Sequence, residues 1–282
     1  ISIYSIDFQV TKTYESNTTS DWIADIECEG DTCYALFSFS NYGSYCFIQK
    51  STDGGRTWFK LYDNSPGQED YMGFEVRCWD LDLTKEHLFI LGRNRVILQL
   101  TKEGEFVDTS FVNSNETLIN IAHYDENIGI VCNPGSYFIT KDGWKTYKSY
   151  YPDKSIQIRE VIFTEDKKIH IANRKSQDFI WNHAVSDDFG ETWNNNDIPD
   201  SSFFVRDLFA VNDSIIYMVA NRKVGDAHSA DVILKTTNGG GTWETKRDTV
   251  FKPWFGLSDI SFKDENYGIA VGQGGKLLLT FD

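Results

Sequence analysis

The chain has 282 residues, 40% of them hydrophobic and 15% aromatic, enough apolar mass for a large core. Its formal charge of −15 argues against binding nucleic acid or an anionic membrane through a general basic surface, since both depend on clustered Lys and Arg. No run approaches the roughly 18 apolar residues that a spanning helix needs, so no membrane insertion is expected.

Read in chain order, the sequence alternates short strand-like segments with turns. "ISIYSIDFQV" opens it with the alternation of a β-strand, and a start at Ile1 without Met reads as a mature or recombinant start. "IADI" (23–26) leads to Cys28 and Cys33, which flank "EGDT" in an expected hairpin, either bridged or as two buried thiols. Cys46, Cys78 and Cys132 fall in strand-like segments and read as inert core. "STDGGRTW" (51–58) is a turn-forming octet that returns as "SDDFGETW" (186–193) and "TTNGGGTW" (236–243). Weaker copies are "TKEGEFVD" (101–108) and "TKDGWKTY" (140–147), and Thr280-Phe281-Asp282 begins another. The third positions, Asp53, Glu103, Asp142, Asp188, Asn238 and Asp282, are separated by 50, 39, 46, 50 and 44 residues.

That period predicts one closed ring of six units over 1–282, with the last unit completed by the N-terminal strand beside "GKLLLTFD". At the third position, Asp53, Asp142 and Asp188, with Asn238 in their place once, offer an acceptor to backbone N–H groups of their own tight loop. The closing Trp58, Trp193 and Trp243 supply apolar mass that wedges between neighbouring sheets. These are scaffold residues.

The octets resemble the Asp-box, the S/T-x-D-x-G-x-T-W signature of BNR repeats in sialidase-like β-propellers. The resemblance implies an all-β, six-bladed β-propeller of a single domain, with each Asp-box between the third and fourth strands of a blade, away from the ligand face. "FKDENYGIAVGQGGKLLLTFD" (262–282) is also similar to the blade of the photosystem II stability and assembly factor family, at Asp264, Gly268, Val271, Gly272 and Thr280. That second likeness implies a partner-binding propeller without catalysis, carrying an arginine patch.

Function is sought at the opposite end of the blades, where loop length is free to vary. Aligning the first strands as "IADI", "VRCW" (76–79), "INIA" (119–122), "IREV" (158–161), "VRDL" (205–208) and "LSDI" (257–260) puts Arg77, Arg159 and Arg206 in one column. Arg93, Arg174 and Arg222 follow second strands, so six of the nine arginines map to one end of an acidic protein. Guanidinium groups gathered there suit a carboxylate, sulfate or phosphate. They equally suit internal pairing with Asp25, Glu160, Asp207 or Asp259 in the adjacent column. Trp181 and Trp254, with Phe255, Tyr71 and Phe74, add surfaces for stacking. The five histidines show no metal spacing, and no cofactor is expected.

The sialidase likeness also implies a glycosidase, since sialidases hold a substrate carboxylate with three arginines. The R-I-P motif of that family is absent, and neither its Tyr–Glu pair nor its acid/base Asp is marked by a motif here. The reading is therefore a non-catalytic, monomeric module, secreted, periplasmic or on the cell surface, that binds an acidic glycan or a peptide. A sialidase-class glycoside hydrolase is the alternative.

Overall fold

The computed structural model describes residues 22–39, 45–64, 78–152, 156–175, 180–200, 203–225, 228–251, 256–272 and 276–280. These form antiparallel sheets whose strands follow chain order. The first contains β1 (Trp22–Glu29), β2 (Thr32–Phe39), β3 (Tyr45–Ser51) and β4 (Phe59–Asp63), and the second β5 (Cys78–Leu83), β6 (His87–Gly92), β7 (Val96–Thr101) and β8 (Phe106–Phe111). The third is made of β9 (Asn120–His123), β10 (Gly129–Asn133), β11 (Ser136–Thr140) and β12 (Lys148–Tyr150). The fourth follows with β13 (Ile156–Phe163), β14 (Ile169–Lys175), β15 (Ile180–Ser186) and β16 (Asn194–Asp197). β17 (Phe204–Ala210), β18 (Ile216–Val224), β19 (His228–Thr236) and β20 (Glu244–Phe251) build the fifth, and β21 (Leu257–Phe262), β22 (Gly268–Gly272) and β23 (Lys276–Thr280) the last. The first three sheets belong to one compact unit and the last three to another, with β11 and β12 divided between them.

Complete four-stranded blades therefore number five among the described residues, not the six expected, because the last sheet has only three strands there. The strand proposed to complete it, within 1–10, lies outside the described residues.

Burial explains the sequence pattern of each blade. Middle strands are packed on both faces, so β6, β10 and β11 read as continuous apolar runs and Ile216 to Ala220 of β18 are all buried. The outermost strand of a blade is edged by solvent, so β16 is "NNND" and Phe106 and Phe111 of β8 are exposed. Side chains from facing sheets interlock. Tyr34, Leu36 and Ile48 pack with Leu81, Leu88 and Leu98 in one unit, and Val205, Leu208 and Met218 with Trp181 and Trp243 in the other.

Two disulfides reinforce the first two sheets. Cys28 and Cys33 are direct cross-strand partners with Cα atoms 4.1 Å apart, and they are bridged. The second bridge corrects the reading of Cys46 and Cys78 as inert core: it joins β3 to β5, their Cα atoms 5.8 Å apart, and so ties one sheet to the next. The partners are 32 residues apart and become neighbours only when sheets stack, which no local pattern announces. Cys132 is a buried free thiol. Two disulfides fit an oxidising, extracellular type of compartment.

Candidate ligand-binding end of the blades

The first strand of five sheets carries a bulge of one extra residue, between Ile23 and Asp25, Cys78 and Asp80, Ile158 and Glu160, Val205 and Asp207, and Leu257 and Asp259. The extra residues are Ala24, Trp79, Arg159, Arg206 and Ser258. Arg159 and Arg206 are thus equivalent, but the position matching them in the second sheet is Trp79. The expected alignment of 76–79 was two residues out, and "CWDL" (78–81) is the segment that matches "IREV" and "VRDL". Arg77 itself lies outside the described residues.

The residue after each bulge is an acid (Asp25, Asp80, Glu160, Asp207 and Asp259), and three of these accept from backbone N–H groups. Asp25 accepts hydrogen bonds from Ile26 N at 2.8 Å and, in the next sheet, from Leu81 N at 2.7 Å. Asp80 accepts from Ile121 N at 2.6 Å, and Asp207 from Leu208 N at 2.7 Å and Ile260 N at 2.8 Å. Asp231 adds a bond from Leu257 N at 2.8 Å. Asp25, Asp80 and Asp207 stitch the first strand of one sheet to that of the next, and Asp231 does so from the third strand of its sheet. Asp207 is also pressed by Asp259 and Glu160; burial first, then those two acids, raise its carboxyl well above the ordinary range.

With Asp25, Asp80 and Asp207 bonded to backbone, the arginines of the fourth and fifth sheets take other partners. Arg206 donates from Nε to Asn221 Oδ1 at 2.7 Å and lies over Phe204, 4.4 Å from the ring centre. Phe204 meets the edge of buried Trp181, centroids 5.2 Å apart, and Arg174 lies 5.8 Å from the Trp181 ring while its Nη2 donates to Gln157. Arg174, Trp181, Phe204 and Arg206 therefore form a row within one unit, two adjoining rings with a cation at each end. Arg159 stands beside this row, close enough that its charge, after burial, lowers the pKa of Arg206. The Arg159 Nε is buried without a partner, and its guanidinium makes no hydrogen bond or ion pair among the described residues. Arg222 is instead spent on Asp248, with Nη2 at 2.6 and 2.7 Å from the two carboxylate oxygens. Arg93 lies in an exposed 3-10 turn, Arg93–Arg95, of the other unit. Trp254, Phe255, Tyr71 and Phe74 lie outside the described residues. Phe204, Gln157 and Asn221 were not anticipated; the first signal for them is their register opposite or beside the arginine positions.

The octets lie at the other end, and three of them dock on the first turn of their own sheet: Gly54 N donates to Asp31 O at 2.9 Å, Gly143 N to Asn127 O at 3.0 Å and Gly239 N to Ser214 O at 2.9 Å. Asp53 accepts from Arg56 N at 2.9 Å, Thr57 N at 2.8 Å and Thr57 Oγ1 at 2.6 Å, and these bonds, led by Thr57, hold its pKa down at about 2. Asp142 accepts from Thr146 and Asp188 from Thr192 in the same way, each taking the hydroxyl at 2.6 Å. Asn238 accepts from Thr242 N at 2.8 Å.

The tryptophans divide their work. Trp58 Nε1 donates within its own turn to Gly55 O at 2.9 Å, and Trp193 Nε1 donates to Tyr137 Oη, on β11, at 3.0 Å. Trp243 is buried, edge-on to His183 with centroids 5.1 Å apart. His183 Nε2 lies 3.0 Å from His170 Nδ1, and both rings are fully buried. Burial, followed for His183 by its neighbour His170, lowers their pKa values to about 3 for His183 and about 4 for His170, so both are neutral at pH 7. In the other unit Trp144 Nε1 donates to His123 Nε2 at 2.8 Å, and His123 Nδ1 lies 2.7 Å from Asp82. Among the described residues, no group of three or more His, Cys, Asp or Glu side chains is placed to hold a metal ion.

No family model matches the chain, and no curated protein matches it in sequence. Solved structures match it in fold. YCF48 bound to D1 peptide is 16% identical with a TM-score of 0.50, covering 94% of this chain and 93% of that one. YCF48 from Cyanidioschyzon merolae is 14% identical with a TM-score of 0.55, covering 94% and 96%. The GH74 xyloglucanase from Xanthomonas campestris is 9% identical with a TM-score of 0.62, covering 92% of this chain and 45% of the enzyme. At these identities the likeness is one of fold, and the fold is an all-β propeller.

Proposed function

We propose that the chain is a single exported, non-catalytic propeller domain of the Asp-box type that binds an acidic segment of a peptide or protein, or an acidic glycan, at the arginine end of its blades. The observation that carries this reading is Arg159, a cation whose buried Nε has no partner among the described residues, beside a second cation, Arg206. Two like charges held together are costly unless an anion joins them, and a guanidinium is suited to take a carboxylate in two parallel bonds. The row of Arg174, Trp181, Phe204 and Arg206 adds an apolar flank for the ligand. A peptide is favoured by the fold likeness to a structure of YCF48 bound to D1 peptide. The hydrolase alternative is weakened because Asp25, Asp80 and Asp207, acids at this end, already serve as acceptors for backbone N–H groups.

The test is fluorescence anisotropy with a labelled, capped tetraglutamate peptide and with sialyllactose as competitor, on the parent and Arg159→Ala proteins. Arg159→Ala should weaken binding by about 1.5 to 3 kcal/mol, the worth of a hydrogen bond to a charged group, and leave the Tm unchanged. Absence of binding by the parent, or a variant that binds equally but melts earlier, would overturn the proposal.

A further inference from the structure

A second polar site is built at the octet end of the last three-sheet unit. The edge strand β16 carries Asn194 and Asn196, paired with Val185 and His183 of β15. Directly paired residues share a sheet face, so these two amides flank the ring of His183 on the side that meets the octet of the next sheet, where a Cβ on Gly240 would lie 2.0 Å from His183 Cε1. Outside that buried contact the sheets leave a cleft of about 500 Å³, within the range of small-molecule sites. Its walls include Asn194, Asn196, Ser214 and Asn238, with Gly239 and Gly241 beside them.

The charged groups at this cleft are already occupied. Lys168 is paired with Asp166, and Asp213 accepts the Asp166 N–H at 2.7 Å. The neutral groups are not. The amides of Asn194 and Asn196 and the Ser214 hydroxyl make no hydrogen bond among the described residues. Asn238 changes the octet at this one place. In the acidic octets the threonine hydroxyl donates to the carboxylate, whereas here Asn238 Nδ2 donates to Thr242 Oγ1 at 3.0 Å. The reversal removes a negative charge from the rim and leaves the Thr242 hydroxyl proton and one amide proton of Asn238 to bond elsewhere.

We propose that this cleft binds a neutral saccharide. Three side-chain amides and hydroxyls, each offering donors and acceptors without net charge, match the paired donor and acceptor character of sugar hydroxyls. They have nothing for which an anion or cation would displace the existing Lys168–Asp166 pair. The site is separate from the arginine end and does not depend on that reading.

The test is saturation-transfer-difference NMR of the full chain with maltotetraose, cellotetraose, xylotetraose, mannotetraose and chitotetraose. At least one should receive saturation at millimolar concentration, and its affinity should fall about tenfold or more in Asn196→Leu and in Asn194→Leu, the worth of one to two neutral hydrogen bonds. Both positions are on an edge strand, and an unchanged Tm confirms that the variants remain folded. Arg159→Ala should bind the sugar as the parent does, which separates this site from the other. No saturation with any tetrasaccharide, equal binding by both folded Asn variants, or loss in Arg159→Ala would overturn the proposal.

Discussion

Gly240→Ala is the sharpest probe of how the octets are packed, because two separate costs meet there. Gly240 has φ of +87°, and a Cβ would stand 2.0 Å from His183 Cε1 and 2.5 Å from its Nδ1. Gly55 is the matched control: its φ is +81°, but the nearest atom to an added Cβ is Trp58 Cζ2 at 3.6 Å, an ordinary contact. Gly55→Ala therefore carries only the left-handed backbone penalty, about 1–2 kcal/mol. Gly240→Ala carries that penalty and must also displace His183, breaking its contact with His170 at 3.0 Å inside a core with no room to yield. Overpacking of this kind adds about 1–3 kcal/mol, giving about 2–5 kcal/mol in all. Urea unfolding of the two variants measures the difference, and repeating Gly240→Ala in a His183→Ala background should return the cost to that of Gly55→Ala. Equal losses for the two glycine variants, or a Gly240→Ala cost unchanged when His183 is removed, would refute the assignment of the excess to His183.

Three further outcomes follow from the same structure. Cys78→Ser opens the bridge to Cys46 and should lower stability by about 4 kcal/mol on the chain-entropy model for a loop of this length, read by urea unfolding of non-reduced protein. Asp25→Ala leaves the N–H groups of Ile26 and Leu81 without their acceptor and should cost about 2–5 kcal/mol in urea unfolding, while Asp25→Asn, which keeps one oxygen, should cost less. His170 and His183 have folded pKa values lowered from 6.5, so the unfolded chain binds more protons and stability should fall as pH drops from about 6.5 towards 4. A His170→Leu/His183→Leu double variant should show a shallower fall over that range, and an unchanged slope in pH-dependent unfolding would contradict it.

The octets were legible because their chemistry is local: Asp53, Asp142 and Asp188 bond to atoms three or four residues away, and the glycines they need stand in the same eight letters. The arginine column was half legible. Arg159 and Arg206 fall at equivalent bulges, but a bulge is a mismatch between two strands and leaves no mark on one of them, so the second sheet was aligned on Arg77 when its matching residue is Trp79. The acids beside the arginines were visible, yet their partners were not, since a backbone N–H such as Leu81 N or Ile260 N has no letter. Phe204 was passed over for a related reason: its role comes from lying between Trp181 and Arg206, which belong to different sheets.

The acid-to-backbone stitch between successive sheets has a consequence for how such a chain is assembled by duplication. At three joints the acceptor is a first-strand carboxylate, and the donor is a main-chain group that every non-proline residue owns, so Leu81, Ile121 and Ile260 are received alike despite their different neighbours. A coupling of that form asks nothing of the incoming blade's side chains. A copied unit inserted beside another would find its first strand already met by an acceptor, and would in turn present one to the next. The interior of each blade is then free to drift, as "NNND" and "KSY" have drifted apart as outer strands, while the joint between blades is inherited with a single carboxylate.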